Sequence, residues 1–396
     1  MLKNIESERM KNLPPYMFGR INDAKLAARR KGIDIIDLGM GNPDRPPAAH
    51  IVDKLCEIAR DPKVHRYSAS RGIPHLRKSI CSWYEARFDV RLDSEKEAIA
   101  TIGSKEGISH LMLAVLDRGD VVLLQDPTYP TYLYSVAIAG AVSVSLPITE
   151  ENGYIPDVEG IIGELNPKPK VLIISYPNNP TAAIADIGFF EKVVHLAKKH
   201  DFMVIHDLAY SEICFDGYRP PSFLQASGAK DVGIEFCSMS KTYNMAGWRV
   251  GFAVGNEMII RALAKIKGYY DYGIFTPLQV ASIAALNSCQ DCVAETADIY
   301  RGRRDVLVKG LNRIGWHVKT PAATMYVWAP IPDGFRKMKS LKFSEYLLKE
   351  AEVAVSPGVG FGVHGEGYLR FALIENEHRL RQAVRGIKRA LDRPDK

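Results

Sequence analysis

A chain of 396 residues with 46% hydrophobic content has enough apolar material for a large core and, by length, for two or three domains. Its 52 Lys and Arg against 46 Asp and Glu leave a net charge of +6, spread over short clusters such as AARRK (27–31) and RGRR (301–304) that fall in helical patterns. Solvated helix faces are therefore expected there, and a nucleic-acid partner is not. The first residues, MLKNIESERMKN, mix both charge signs without an apolar stretch, and no run of 18 apolar residues occurs, so neither a secretory signal nor a membrane span is expected and a cytoplasmic setting is.

Residues 1–45 end in the loop chemistry of LGMGNPD and are expected to form an N-terminal arm that joins a smaller domain. Residues 46–285 are expected to form the large domain, because from about 96 onward strand-like and helix-like segments alternate. EAIATIG, DVVLLQ, AVSVSLP, KVLIIS, FMVIHD, GIEFCSM and WRVGFAV are strand candidates, and SKEGISHLMLAVL and IGFFEKVVHLAKKH are helix candidates between them. Such alternation predicts an α/β fold on a mostly parallel seven-stranded sheet. Two long helical patterns over about 276–314 then lead into residues 286–396, expected to be a smaller α+β domain with strands at TMYVWA, VAVSP and YLRFAL and helices near 343–350 and 376–391. The six cysteines are few and mostly sit in apolar segments. Cys289 and Cys292 form C-x-x-C with no second pair and no preceding strand, so no metal or redox centre is expected.

Polar residues cluster where strands end. VLIIS runs into Asn179, FMVIH into Asp207 and Tyr210, GIEFC into Ser238 and Lys241, IATIG into Ser104 and Lys105, and VVLLQ into Tyr129. In open α/β sheets ligands bind beyond the carboxyl ends of the strands, so five strand ends are expected to converge on one rim. A helix opening at GSKEG offers free backbone N–H groups and a positive dipole end to an anion, and Ser238 and Arg249 can add donors. Asp207 ends an apolar strand, where a carboxylate needs a partner. Either it caps a helix starting at LAYSEI, or it meets the ring N–H of a ligand whose oxygen Asn179 and Tyr210 flank. A lysine, a carboxylate for a pyridinium nitrogen, an amide and a phenol for a ring oxygen, and an anion site together describe a pyridoxal phosphate pocket.

The stretch SMSKTYNMAGWRVG resembles the lysine signature of class I and II aminotransferases, fold type I of the pyridoxal phosphate enzymes. YPNNPT, HDLAY, LGMGNPD, RYSASRGIPHLR, DPTYP and YLRFAL resemble further blocks of that family in the same order, so the resemblance covers nearly the whole chain. It implies that Lys241 links to pyridoxal 5'-phosphate, that Asp207 partners the ring nitrogen, and that Asn179 and Tyr210 partner the ring oxygen. Ser104, Lys105, Ser238 and Arg249 match positions around the phosphate, and Tyr129 matches the aromatic stacked on the ring. Tyr67 matches a tyrosine reaching the phosphate of a neighbouring subunit's cofactor, which implies a homodimer with shared sites. Arg370 matches the arginine that grips the substrate α-carboxylate, and Gly41 a backbone position close to that carboxylate.

Blocks such as LPPYMFGRINDAKLAARRKG, GSKEGISHLMLA and ALIENEHRLRQAVRGIK are most similar to bacterial glutamate-pyruvate transaminases and LL-diaminopimelate aminotransferases. The expected reaction is ping-pong transfer from L-alanine to 2-oxoglutarate, with LL-diaminopimelate or aspartate as alternative donors. By position only, Tyr16, Tyr272 and Arg71 are candidates for the side-chain pocket, with Arg71 of a neighbouring subunit a candidate for a distal carboxylate. Pairing of Arg71 with an acidic neighbour alone is equally open, and Asp271 and Glu106 stand as conceivable acceptors for a diaminopimelate ammonium.

Overall fold

The computed structural model describes residues 5–11, 13 and 17–393. Among the described residues the strands are β1 (Ile36–Asp37), β2 (Ala98–Thr101), β3 (Val121–Asp126), β4 (Val142–Pro147), β5 (Val171–Ser175), β6 (Met203–Asp207), β7 (Gly233–Ser238), β8 (Gly251–Gly255), β9 (Tyr326–Pro330), β10 (Val353–Ala354), β11 (Ser356–Pro357) and β12 (Tyr368–Ala372). The seven candidates of the large domain all form strands of one sheet, in the order β2-β8-β7-β6-β5-β3-β4.

That sheet is parallel except for β8, which runs antiparallel to both its neighbours. Helices cover both faces, so the central strands read as nearly unbroken apolar runs. Successive side chains still alternate: Leu172 and Ile174 enter one core cluster, Val171 and Ile173 the other. All four are essentially inaccessible, and each such burial stabilises by about 1.5–3 kcal/mol. The parallel strands bring the ends of β2, β3, β5, β6 and β7 to one edge. Because β8 runs the other way, its start, just after Arg249, lies at that same edge.

The helix Thr276–Asn287 packs on the helices Ala49–Ala59 and Pro74–Phe88 beside this sheet, whereas Asp291–Arg313 and Lys339–Ala351 pack on Glu377–Leu391. The latter group covers an antiparallel sheet β11-β12-β9 over a separate core that includes Phe343, Leu347, Leu369 and Phe371. β1 pairs in parallel with β10, tying the N-terminal segment to this layer. The expected single strand VAVSP is two: Val353–Ala354 joins β1 and Ser356–Pro357 joins β12, the chain changing partners at the fully buried Val355. On β12, Leu369 and Phe371 point into the core, so Arg370 must face the opposite side, toward the rim of the large sheet.

Candidate active site

The edge where the strands end encloses a cavity of about 670 Å³ lined by Gly41, Ser104, Lys105, Tyr129, Asn179, Asp207, Tyr210, Ser238, Lys241, Arg249 and Arg370, with Tyr132 and Tyr326 among them. Nine segments of sequence spread over more than three hundred residues thus meet in one place.

Lys241 sits in a short helix, Met239–Thr242, that begins where β7 ends, and Ser238 caps that turn by accepting the Ser240 N–H at 3.2 Å. Its Nζ donates to the Gly41 carbonyl at 2.7 Å. Burial, and then the charges of Arg370 and Arg249, pull its pKa down to about 8. An amine so placed is near half-neutral in mildly alkaline solution, the state that attacks a carbonyl carbon. Gly41 must be glycine: a Cβ there would lie 2.0 Å from the Tyr326 hydroxyl.

One end of the cavity is basic. The helix Ser104–Val115 begins after Gly103, which supplies no side-chain cap, so its first N–H groups face the cavity with Ser104 and Lys105. Gly103 has φ +76°, and a Cβ on it would come within 2.4 Å of Arg249 Nη2. Only glycine lets that guanidinium close over the helix start.

At the other end stands Asp207, buried at the end of β6. Burial raises its carboxyl above the ordinary range, opposed by the hydrogen bond from Tyr132, whose hydroxyl donates to Oδ2 at 2.6 Å. Oδ1 accepts the Ala209 N–H at 3.2 Å. No helix follows: residues 209–212 form turns, so the alternative in which Asp207 caps a helix at LAYSEI is corrected. Beyond the turn the backbone pairs with residues 322–324, and Tyr210 meets Tyr326, their hydroxyls 3.0 Å apart; burial and then Tyr326 hold the Tyr210 phenol far above its usual pKa, hence protonated.

Arg370 lies between the rings of Tyr326 and Phe361, 4.2 and 4.6 Å from their centres. Its Nη1 donates to Asn179 Oδ1 at 2.7 Å and its Nη2 to the Gly39 carbonyl at 2.8 Å, while Nε is buried without a hydrogen-bond partner among the described residues. A buried guanidinium that lines the cavity suits an anion.

Other expected residues stand elsewhere. Tyr67 and Tyr272 meet at a tilt of 36°, ring centres 4.6 Å apart, on an exposed surface; neither lines this cavity. Arg71 donates to the Glu95 carbonyl at 2.7 Å and is likewise outside it. Tyr16 lies outside the described residues. Glu106 and Asp271, weighed as substrate acceptors, are instead both 3.0 Å from the buried ammonium of Lys267. With His110 they group closely enough to suggest a metal, but Lys267 already supplies the cation. Two lining tyrosines escaped the sequence reading, Tyr132 and Tyr326; each sits in an aromatic-rich apolar run that looks the same as core.

A basic end, a buried carboxylate opposite it, a lysine of lowered pKa between them and a guanidinium in the cavity wall fit pyridoxal 5'-phosphate and an amino-acid carboxylate, so the fold and site define a pyridoxal phosphate-dependent enzyme. Residues 33–387 match the family described as aminotransferase class I and II, and the chain belongs to that family: it is an aminotransferase. It is 56% identical over 380 residues to the glutamate-pyruvate aminotransferase AlaC of Escherichia coli (strain K12), covering 96% of this chain and 92% of that one. It is also 47% identical over 386 residues to the LL-diaminopimelate aminotransferase of Moorella thermoacetica, covering 98% of each. The solved structure of substrate-bound BacF from Bacillus subtilis is similar with a TM-score of 0.92 and 37% identity, over 98% of both chains. No described helix is long and apolar enough to cross a membrane.

Proposed function

We propose that this aminotransferase moves the amino group of L-alanine to 2-oxoglutarate, giving pyruvate and L-glutamate. The observation that carries the reading is the pairing of a carboxylate-seeking Arg370 with Lys241 in one cavity, in a chain 56% identical to a glutamate-pyruvate aminotransferase.

When bound, pyridoxal phosphate supplies an aldehyde carbon that takes up the amino group and a conjugated ring that accepts the electrons left on the substrate Cα. Ser104, Lys105, Ser238 and Arg249 would hold its phosphate, Tyr129 would cover the ring face, and Asn179 and Tyr210 would donate to the ring oxygen. Asp207 keeps the ring nitrogen protonated. Arg370 would take the substrate carboxylate and so orient the Cα–H bond for proton transfer. Lys241, its lowered-pKa amine lying in the same cavity, would act as the base and acid that moves the proton at the substrate Cα. Each half-reaction leaves the amino group on one side, which makes the kinetics ping-pong.

A second copy completes the site in this reading. Tyr67, Tyr269, Tyr270, Tyr272 and Phe275 form an exposed aromatic face, Tyr67 being 85% accessible, and such faces mark interfaces. A homodimer in which Tyr67 and Arg71 reach the partner's cavity, acting in the cytoplasm, follows; sedimentation at micromolar concentration tests it, and an active monomer refutes it.

LL-diaminopimelate is the second reading. A neighbouring cavity of about 330 Å³ shares Met40, Lys105, Tyr129 and Arg370 with the first, and its wall carries the Lys25–Asp37 ion pair at 2.6 Å. Such a pair suits the distal ammonium and carboxylate of a long diamino acid. Comparing kcat/KM for alanine and LL-diaminopimelate with 2-oxoglutarate decides: alanine is expected to win, and a tenfold advantage for diaminopimelate, about 1.4 kcal/mol, overturns the alanine reading.

A further inference from the structure

Asp207 owns a partner that the reaction itself does not require. Tyr132 is 2% exposed, on the helix Pro130–Ala139, and its hydroxyl lies 2.6 Å from Asp207 Oδ2. We propose that Tyr132 is a positioning residue, setting how much negative charge Asp207 presents to the cofactor's ring nitrogen. The inference rests on the reading of Asp207 given above.

The direction of the bond is fixed by the surroundings. Burial, and then the charge of Asp207, push the Tyr132 phenol far above its usual pKa, so it keeps its proton and donates. The other polar groups near Asp207 are already engaged. Ser175 on β5 donates to the Asp207 backbone carbonyl at 3.0 Å, not to the carboxylate. His206, next on β6, points to the opposite face of the sheet and meets Glu235 of β7 at 2.6 Å. Glu235 also accepts from Tyr84 at 2.8 Å, from Ser222 at 2.5 Å and from the Phe223 N–H at 2.8 Å, so it reaches Asp207 only through its charge, as the smallest of the influences on that carboxyl. Across the cavity stand Lys241, Arg370 and Tyr210, and Tyr129 meets the Tyr132 ring edge-on at 5.6 Å. Tyr132 is therefore the side-chain donor that shares Asp207 with whatever faces it from the cavity.

A carboxylate that gives up part of its charge to a phenol holds a pyridinium proton less tightly than one that does not. Deleting the phenol hydroxyl should leave Asp207 more basic, the ring charge better neutralised, and the nitrogen joined to Lys241 easier to protonate. A tyrosine that only fills the core would give none of these shifts.

The test compares holoenzymes of the wild type, Tyr132→Phe, Asp207→Asn and the double variant by the pH titration of the cofactor's near-visible absorbance band, with retention of cofactor on dialysis. In Tyr132→Phe the midpoint is expected to rise by about one pH unit, a tenfold change in proton affinity. In the Asp207→Asn background the same change should not move it. An unmoved midpoint in Tyr132→Phe, while Asp207→Asn shifts its own, overturns the inference and leaves the reading of Asp207 standing. An equal shift in both backgrounds also overturns it, since the effect then bypasses Asp207. Wild-type midpoint and retention in Asp207→Asn would remove the reading of Asp207 and the inference together. Should Tyr132→Phe fail to fold, 3-fluorotyrosine placed at 132, a stronger donor of the same shape, is expected to lower the midpoint; an unchanged or raised one overturns the proposal.

Discussion

Burying the amine of Lys241 near Arg370 and Arg249 has a thermodynamic cost that can be measured without any catalysis. Its pKa falls from 10.5 to about 8 on folding, a depression worth about 3 kcal/mol at 1.36 kcal/mol per unit. Below about pH 8 the lysine is protonated in both states, and the folded protein carries the full cost of the buried charge. Between 8 and 10.5 the unfolded chain binds the extra proton, so stability rises with pH, and above 10.5 the cost is gone. In cofactor-stripped protein, Lys241→Met should therefore be more stable than wild type at pH 7 by about 3 kcal/mol, less about 1 kcal/mol for the lost hydrogen bond to Gly41. That hydrogen-bond loss depends little on pH, whereas the advantage should shrink by about 2 kcal/mol at pH 9.5. Urea unfolding of both proteins at the two pH values, compared through their midpoints, gives the difference. A gap that stays constant or widens as pH rises would refute the claim that Lys241 is held as a strained cation.

Arg370→Lys keeps the charge but loses the fork, and kcat/KM for the amino donor should fall on the order of 100-fold, measured by steady-state kinetics; a change under threefold would mean another group grips the carboxylate. Lys267→Met leaves Glu106 and Asp271 facing each other without their cation, and should lower the unfolding free energy by about 3 kcal/mol. Because Glu106 also accepts the Ile102 N–H at 2.8 Å, just ahead of Ser104, cofactor retention should weaken in the same variant; a wild-type urea midpoint would contradict this.

The sheet was legible because buried parallel strands write long apolar runs between helical patterns, and all seven runs of the large domain pair as expected. The cavity was legible for a related reason: Asn179, Asp207 and Lys241 are polar residues stranded at the ends of such runs, where only a ligand or a partner accounts for them. Tyr132 and Tyr326 were not, because an aromatic in an apolar run carries no sign of what its hydroxyl will meet across 75 or 116 residues. The turn after Asp207 was hidden likewise, because the chain there goes on to pair with residues 322–324, far along the sequence. Sequence motifs also grouped Tyr67, Arg71 and Tyr272 with the site, although within one chain they lie on its outer surface or beside Glu95.

The central claim is that Lys241 in this cavity moves the proton at the substrate Cα, while the bound cofactor would take up the amino group. The direct measurement is a single half-reaction: holoenzyme mixed with L-alanine and no oxo acid, followed by absorbance and by assay of pyruvate. Wild type should release one pyruvate per active site while the near-visible band disappears, and 2-oxoglutarate should restore the band with formation of glutamate. Lys241→Ala, folded and loaded with cofactor, should show no turnover. Pyruvate formed by Lys241→Ala at a rate comparable to wild type would contradict the account.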